Sequence, residues 1–352
     1  MDSYAIIMAG GNGERFWPMS TPERPKQFLS LFGGKPLIRH AVDRLEGLIP
    51  AERIFVVTSD RFIAQTHAAL PMLPIENIVG EPCRRDTAAA VATACGLVLK
   101  QGGPDAVGCI LTADQLIEPV AAFQRTLADA IEVAGRTDAI VTMGIAPSRP
   151  DTGFGYIEAG PCVATDTATA FRSVTRFVEK PDETTAVSYL AAGNFLWNSG
   201  MFVWRASTMR AAFHENAQDI AALLEAVAAG GDTKAVIDRL YPDLRSISVD
   251  FAVMERAKSI LVAESRFVWD DVGSWAAVEH HFPQDESDNT SIGETVIQSS
   301  AGSIVVNAVS AGHVVAVAGL KDVVVVHTPK ATLVCHKGEL RNLKALVAAA
   351  RR

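Results

Sequence analysis

Near its start the chain reads Tyr4-Ala5-Ile6-Ile7-Met8-Ala9-Gly10-Gly11-Asn12-Gly13-Glu14-Arg15-Phe16-Trp17-Pro18. Residues 5–9 are an unbroken apolar run of strand length, and three glycines follow within four positions. Glycines there permit positive φ and let backbone N–H groups come close to a phosphate. Arg15, and Lys26 further on, would neutralise phosphate oxygens. Taken alone, the same residues equally make a tight strand-to-helix turn.

Strand and helix patterns alternate outward from this turn. Residues 36–48 (PLIRHAVDRLEGL) place apolar groups at 37, 38, 41, 42, 45 and 48, the spacing of a helix. Residues 54–58, 107–112 and 139–145 read as further buried strands, and 88–99 as an Ala-rich helix. Such alternation predicts an α/β fold with a mostly parallel sheet covered on both faces, its ligands beyond the carboxyl ends of the strands. The pattern changes near residue 283. A polar stretch, 283–291 (PQDESDNTS), reads as a linker, and 293–337 is rich in Val and Ile with Gly spacers. Short strands are expected at 303–306, 313–318, 323–327 and 332–335, with an amphipathic helix over 340–352. The expected domains are therefore 1–283 and 292–352.

Composition narrows the function. At 352 residues the chain has room for two domains, and 49% apolar with 20% charged residues suits a packed core. The net charge of −8 lacks the basic excess of a general nucleic-acid surface, so any positive field must be local. Five scattered cysteines without a C-x-x-C pair speak against a disulfide framework or a zinc site and fit a reducing cytosol. No run of 18 apolar residues exists, and Asp2 stands where a signal peptide would be basic. A soluble cytoplasmic protein with no membrane or nucleic-acid partner is expected.

Two familiar phosphate motifs fail. The dinucleotide fingerprint needs a third glycine where Phe16 stands. A P-loop would need Gly at Leu29 and Ser or Thr at Pro36, around Gly34-Lys35. What survives is longer: G-G-N-G-E-R-F-W-P, then Pro25-Lys26-Gln27-Phe28-Leu29. This resembles the signature loop of sugar-phosphate nucleotidyltransferases, and its F-W-P and K-Q-F-L variants resemble the mannose-1-phosphate guanylyltransferase branch.

Later segments follow the same family's order. Gly80-Glu81-Pro82-Cys83-Arg84-Arg85-Asp86-Thr87-Ala88 is similar to the segment beside the nucleotide base, although Asp86 or Thr87 would also serve as a helix cap. Asp86 stands where that segment has Asn, and a carboxylate cannot donate to guanine O6, so the base stays open. Asp114, at the end of the buried strand, needs a partner to offset desolvation, and Mg²⁺ beside phosphates is one. Asp151-Thr152-Gly153-Phe154-Gly155-Tyr156-Ile157, Phe177-Val178-Glu179-Lys180-Pro181 and Trp197-Asn198-Ser199-Gly200-Met201-Phe202 resemble the hexose-binding segments. Without that resemblance Glu179 and Lys180 would be a surface ion pair. Trp269-Asp270-Asp271-Val272-Gly273-Ser274-Trp275 resembles the segment that supplies a second metal-binding Asp. Asp250-Phe251-Ala252-Val253-Met254-Glu255 resembles another, read as packing with an unclear catalytic share.

The resemblance implies a Rossmann-like, mostly parallel mixed sheet of the nucleotide-diphospho-sugar transferase fold, with a small β-rich, β-helix-like tail. It implies GMP transfer from GTP to mannose 1-phosphate, giving GDP-mannose and pyrophosphate. Arg15, Lys26, Asp114 and Asp271 would be catalytic, the two Asp holding Mg²⁺. Ala9, Gly10, Gly11, Gly13, Glu81, Pro82, Arg85, Asp86 and Thr87 would bind nucleotide. Gly155, Glu179, Lys180 and Asn198 would bind the sugar phosphate. Another hexose 1-phosphate or NTP, or a catalytically silent regulatory subunit, stands as the alternative. The length leaves no room for the isomerase domain fused in many longer relatives, so a short monofunctional form is expected. An exposed β tail further suggests a homodimer.

Overall fold

The computed structural model describes residues 2–11, 13–309 and 312–350. The chain divides into two compact units: Met1–Gly10, Ala41–Ala113 and Ile117–Trp269 form one, and Gly11–His40, Asp114–Leu116 and Asp270–Arg352 the other. The strands are β1 (Ser3–Ala9), β2 (Ile54–Ser59), β3 (Ile78–Glu81), β4 (Val107–Thr112), β5 (Leu116–Glu118), β6 (Ile140–Ile145), β7 (Tyr156–Val163), β8 (Phe171–Val178), β9 (Phe195–Arg205), β10 (Ile260–Glu264) and β11 (Val268–Asp270). Strands β5 and β11 pair as a short ribbon.

The first unit is built on a nine-stranded sheet in the order β3-β2-β1-β4-β9-β6-β10-β8-β7. Strands β3, β2, β1 and β4 are parallel throughout. Strands β1, β2 and β4 are mostly apolar and buried, as strands covered on both faces must be. The other half mixes directions: β9 runs antiparallel to β4 and β6, and β7 and β8 pair antiparallel. The cause is the connection. Residues 164–170 join β7 to β8 without a helix, and such a link returns the chain beside itself. Helix Asp86–Gly102 is rich in Ala, the best helix former, and its small side chains pack with Ile220, Leu223, Leu224 and Val227 of helix Gln218–Ala228.

The second unit holds β12 (Thr290–Ile292), β13 (Thr295–Gln298), β14 (Ile304–Asn307), β15 (Val315–Ala318), β16 (Val323–His327) and β17 (Thr332–His336). Strands β12, β14 and β16 stack in parallel, aligning Thr290, Ile304 and Val324, and β13 pairs in parallel with β15. This is the parallel stacking of a β-helix, closed by antiparallel β17 and helix Leu343–Ala350. Residues 351 and 352, where the expected terminal helix would have ended, lie outside the described residues.

The partition does not follow the expected boundary near residue 283. Phe16, Leu29, Leu31, Phe32 and Leu37 share one core with Val272, Trp275, Ile304, Val306, Val324, Leu333 and Leu343. The glycine loop and the turns after it thus pack with the tail, since their apolar side chains are buried in its core. Among the described residues no helix is long and apolar enough to cross a membrane, and all five cysteines are free.

Candidate active site

Each unit carries part of the expected residues. In the second unit the loop after β1 holds Gly13 at φ +52°, and a Cβ there would stand 2.2 Å from the Cβ of Lys26. Only glycine combines that backbone angle with that approach. Lys26 opens a short 3₁₀ turn, Lys26–Phe28, and is buried to 6% exposure. A buried ammonium must be paired. Its Nζ donates to Asp114 Oδ2 at 2.9 Å and to the Asp271 carbonyl. Asp114 thus has the partner that its position at a strand end demands. Arg15 is exposed and, with Lys26, acts to lower the pKa of Asp271. Burial nonetheless holds Asp271 above the ordinary carboxylate range, and Asp270 and Asp114 add to that rise.

The turn carrying Asp271 is strained. Val272, fully buried and β-branched, sits at φ +44°. The Asp270 side chain holds it there, accepting from Val272 N at 2.7 Å while lying 2.9 Å from His281 Nε2. Burial raises Asp270, but these hydrogen bonds and the neighbouring His281 and His280 outweigh it and keep it low. The adjacent acids therefore differ: Asp270 braces the turn, and Asp271 is left to the charge cluster. Trp275 fixes the far side, donating to the Trp17 carbonyl at 2.9 Å and packing on Phe16.

The donor set suits Mg²⁺. That ion takes one or two carboxylates and completes its shell with phosphate oxygens and water. Asp114 and Asp271 supply two, in a cluster whose positive charges include Lys26 and Arg15. Among the described residues no three His, Cys, Asp or Glu form an all-protein metal cage.

In the first unit β1 ends at Ala9, whose carbonyl accepts from Thr58 Oγ1, and Gly10 follows. Glu81, ending β3, accepts the Tyr241 hydroxyl. Its carboxyl is pushed up to about 7 by burial, against the pull of Tyr241 and Arg84 and with a further rise from Asp60. Pro82 is exposed in the turn before the helix. Neither Asp86 nor Thr87 caps that helix. Arg85 holds the cap position, Asp86 is the first helical residue at φ +61° with Oδ1 accepting from Thr87 N, and Thr87 Oγ1 accepts from Val249 N at 2.9 Å. Arg85 donates to the Pro242 and Arg84 carbonyls.

The segments expected to bind the hexose all lie in the first unit. Asn198 N donates to Gly155 O at 2.8 Å, Asn198 Oδ1 accepts from Gly200 N, and Nδ2 donates to Asp250 Oδ1 at 2.9 Å. Lys180, at φ +45°, pairs with Glu179. Burial and the nearby Glu179 push Asp250 up to about 6, while the Asn198 hydrogen bond and Lys180 act against them. Asp250, whose segment the sequence reads as packing with an unclear catalytic share, is therefore a member of this cluster. Its signal was present in the quoted D-x-A-x-M-E segment, but nothing in that segment says that Asn198 meets it.

Two family models match consecutive parts of the chain. Residues 4–288 match the family model described as nucleotidyl transferase, and 293–349 the MannoseP isomerase/GMP-like beta-helix domain. A mannose-1-phosphate guanylyltransferase from Klebsiella pneumoniae is 35% identical over 350 residues, 97% of this chain and 72% of that protein. The alginate biosynthesis protein AlgA of Pseudomonas putida is 34% identical over 349 residues, 97% of this chain and 70% of that protein. A crystal structure from Thermus thermophilus, described as a mannose-1-phosphate geranyltransferase, superposes with a TM-score of 0.88 at 34% identity, covering 100% of both chains.

Proposed function

We propose, since this chain belongs to the nucleotidyl transferase family, that it transfers GMP from GTP to α-D-mannose 1-phosphate and releases pyrophosphate. A phosphate oxygen of mannose 1-phosphate attacks the α-phosphorus of GTP. The bond from that phosphorus to the bridging oxygen breaks, and pyrophosphate leaves in line carrying the electron pair. The nucleophile needs no general base, because the second pKa of a phosphate monoester is about 6. Catalysis is therefore positioning and charge neutralisation, with no covalent enzyme intermediate.

Lys26 neutralises the reacting phosphates, its ammonium already aimed at Asp114 and the Asp271 carbonyl. Arg15 and the loop amides of Gly10, Gly11 and Gly13 receive the leaving pyrophosphate. Lys180 orients the sugar phosphate, and Glu179 and Asn198 bind hexose hydroxyls. Asp114 and Asp271 would hold Mg²⁺, which would supply further neutralisation of phosphate charge. The observation that carries this reading is the charge cluster of Lys26, Arg15, Asp114 and Asp271, in a chain similar over 97% of its length to guanylyltransferases.

A matrix of NTPs against hexose 1-phosphates, read as pyrophosphate release, tests it. Turnover should be greatest for GTP with mannose 1-phosphate. A clear preference for another pair moves the assignment to that pair, and binding of GDP-mannose without any turnover overturns it. A cytoplasmic homodimer is part of the same reading. It is supported by apolar side chains exposed on the tail, such as Val296 and Val334 at 55% and 59%, and is checked by sedimentation.

A further inference from the structure

We propose, resting on the GTP reading above, that Tyr241 is a positioning residue for the nucleotide base: its hydroxyl holds the Glu81 carboxylate in the orientation that reads the guanine edge. Tyr241 is fully buried and opens the 3₁₀ turn Tyr241–Asp243. Its hydroxyl donates to Glu81 Oε1. The other oxygen, Oε2, lies toward Gly10, 3.1 Å from where a Cβ on that residue would stand. One oxygen is thus tethered and the other is set against the start of the glycine loop.

The tether belongs to a longer contact. Pro242 O accepts from Arg85, Ile247 O from Ala88 N at 3.1 Å, and Thr87 Oγ1 from Val249 N at 2.9 Å. Together with the Tyr241 bond, four hydrogen bonds tie residues 241–249 to residues 81–88. None of these groups takes part in the chemical step. Their common effect is to fix the segment assigned to the base.

An ionised carboxylate only accepts, and offers about four lone-pair directions. The tyrosine hydroxyl occupies one and leaves enough for two parallel donors. Guanine presents such a pair, N1–H and the N2 amino group. Hypoxanthine lacks the amino group, and adenine presents an acceptor at N1. A carboxylate free to rotate would lose this geometric selectivity, whereas a tethered one keeps it.

The same tether affects protonation. Besides Tyr241, Glu81 faces Arg84, which favours its charged form, and Asp60, which opposes it. Asp60 is itself paired with Lys234 at 3.1 Å, and Cys83 and Arg85 lie near Tyr241. Burial lifts Glu81 to about 7 despite the tyrosine, so loss of the hydroxyl moves it higher.

Tyr241→Phe keeps the buried ring and removes only the donor. The measurement is kcat and KM for GTP and for ITP, with mannose 1-phosphate, across pH 5.5 to 9. KM for GTP should rise about tenfold, the scale of one hydrogen bond to a charged group, with kcat changed less than about twofold. The preference for GTP over ITP should fall, and the acid limb of kcat/KM for GTP should move upward. In a Glu81→Gln background Tyr241→Phe should no longer change the GTP-to-ITP ratio. An unchanged ratio and acid limb overturn the proposal, even if Tm and kcat fall, because packing alone explains that result. An equal change of the ratio in the Glu81→Gln background overturns it too. If the wild type fails to use GTP with mannose 1-phosphate, the functional reading fails. If it does use them and Tyr241→Phe changes neither ratio nor limb, only the tyrosine's role fails.

Discussion

Lys26 condenses the chemistry of the charge cluster into one side chain. It lies 88 positions from Asp114 and 245 from Asp271, yet its ammonium reaches both. Lys26→Ala, Asp114→Asn and Asp271→Asn should each lower turnover at least about tenfold, the scale of removing one charge-stabilising group, while thermal melts stay cooperative. Near-normal rates in all three would sink the assignment. Asp114 was readable in the sequence because a strand-end carboxylate demands a partner. Asp250 was not, because its partners Asn198 and Glu179 are distant in the chain and no spacing rule links them. Its raised pKa gives a second expectation. An acid with a native pKa above its unfolded value binds protons more tightly when folded, so its contribution to stability is lost as pH rises from about 4 through about 6. Asp250→Asn should therefore gain in denaturation midpoint relative to wild type at pH 7.5 but not at pH 4. A difference independent of pH would remove the case for burial of this charge.

At the scale of elements, hydrophobic period and connection length had different reach. The strands at 107–112 and 323–327 stand within the bounds that their apolar runs implied, because a covered strand must be apolar throughout. Direction was less legible. The helix-linked β1, β2, β3 and β4 are parallel as alternation suggests, whereas β7 and β8 reverse through residues 164–170, a stretch that carries no strong turn signal. In the tail, parallel stacking puts Ile304 over Val324 and leaves antiparallel β17 to seal the end through Leu333. Leu333 is 1% exposed. Leu333→Ala should therefore destabilise the tail by about 2–5 kcal/mol, read as a lower midpoint in urea. A midpoint within error of wild type would mean that β17 is not a closing strand.

The molecule as a whole departs from its sequence punctuation. The polar run at 283–291 looks like a boundary, and the two family matches meet there, at 288 and 293. Compactness follows another line, because Gly11–His40 packs with residues after Asp270. Phe16, Leu29 and Leu37 would lose their apolar cover if the tail were removed. A chain ending at residue 288 should thus be poorly soluble and lose the Lys26 site, and turnover near that of the full chain would refute this. The sequence by itself determined the alternation of strands and helices, the glycine loop, and the acids and bases suited to phosphate, because these rest on local periodicity and residue chemistry. Only the tertiary structure decided which acid pairs with Lys26, which tyrosine holds Glu81, and which core the loop joins. Those contacts join residues far apart in the chain, and long-range packing selects them where local pattern carries no information.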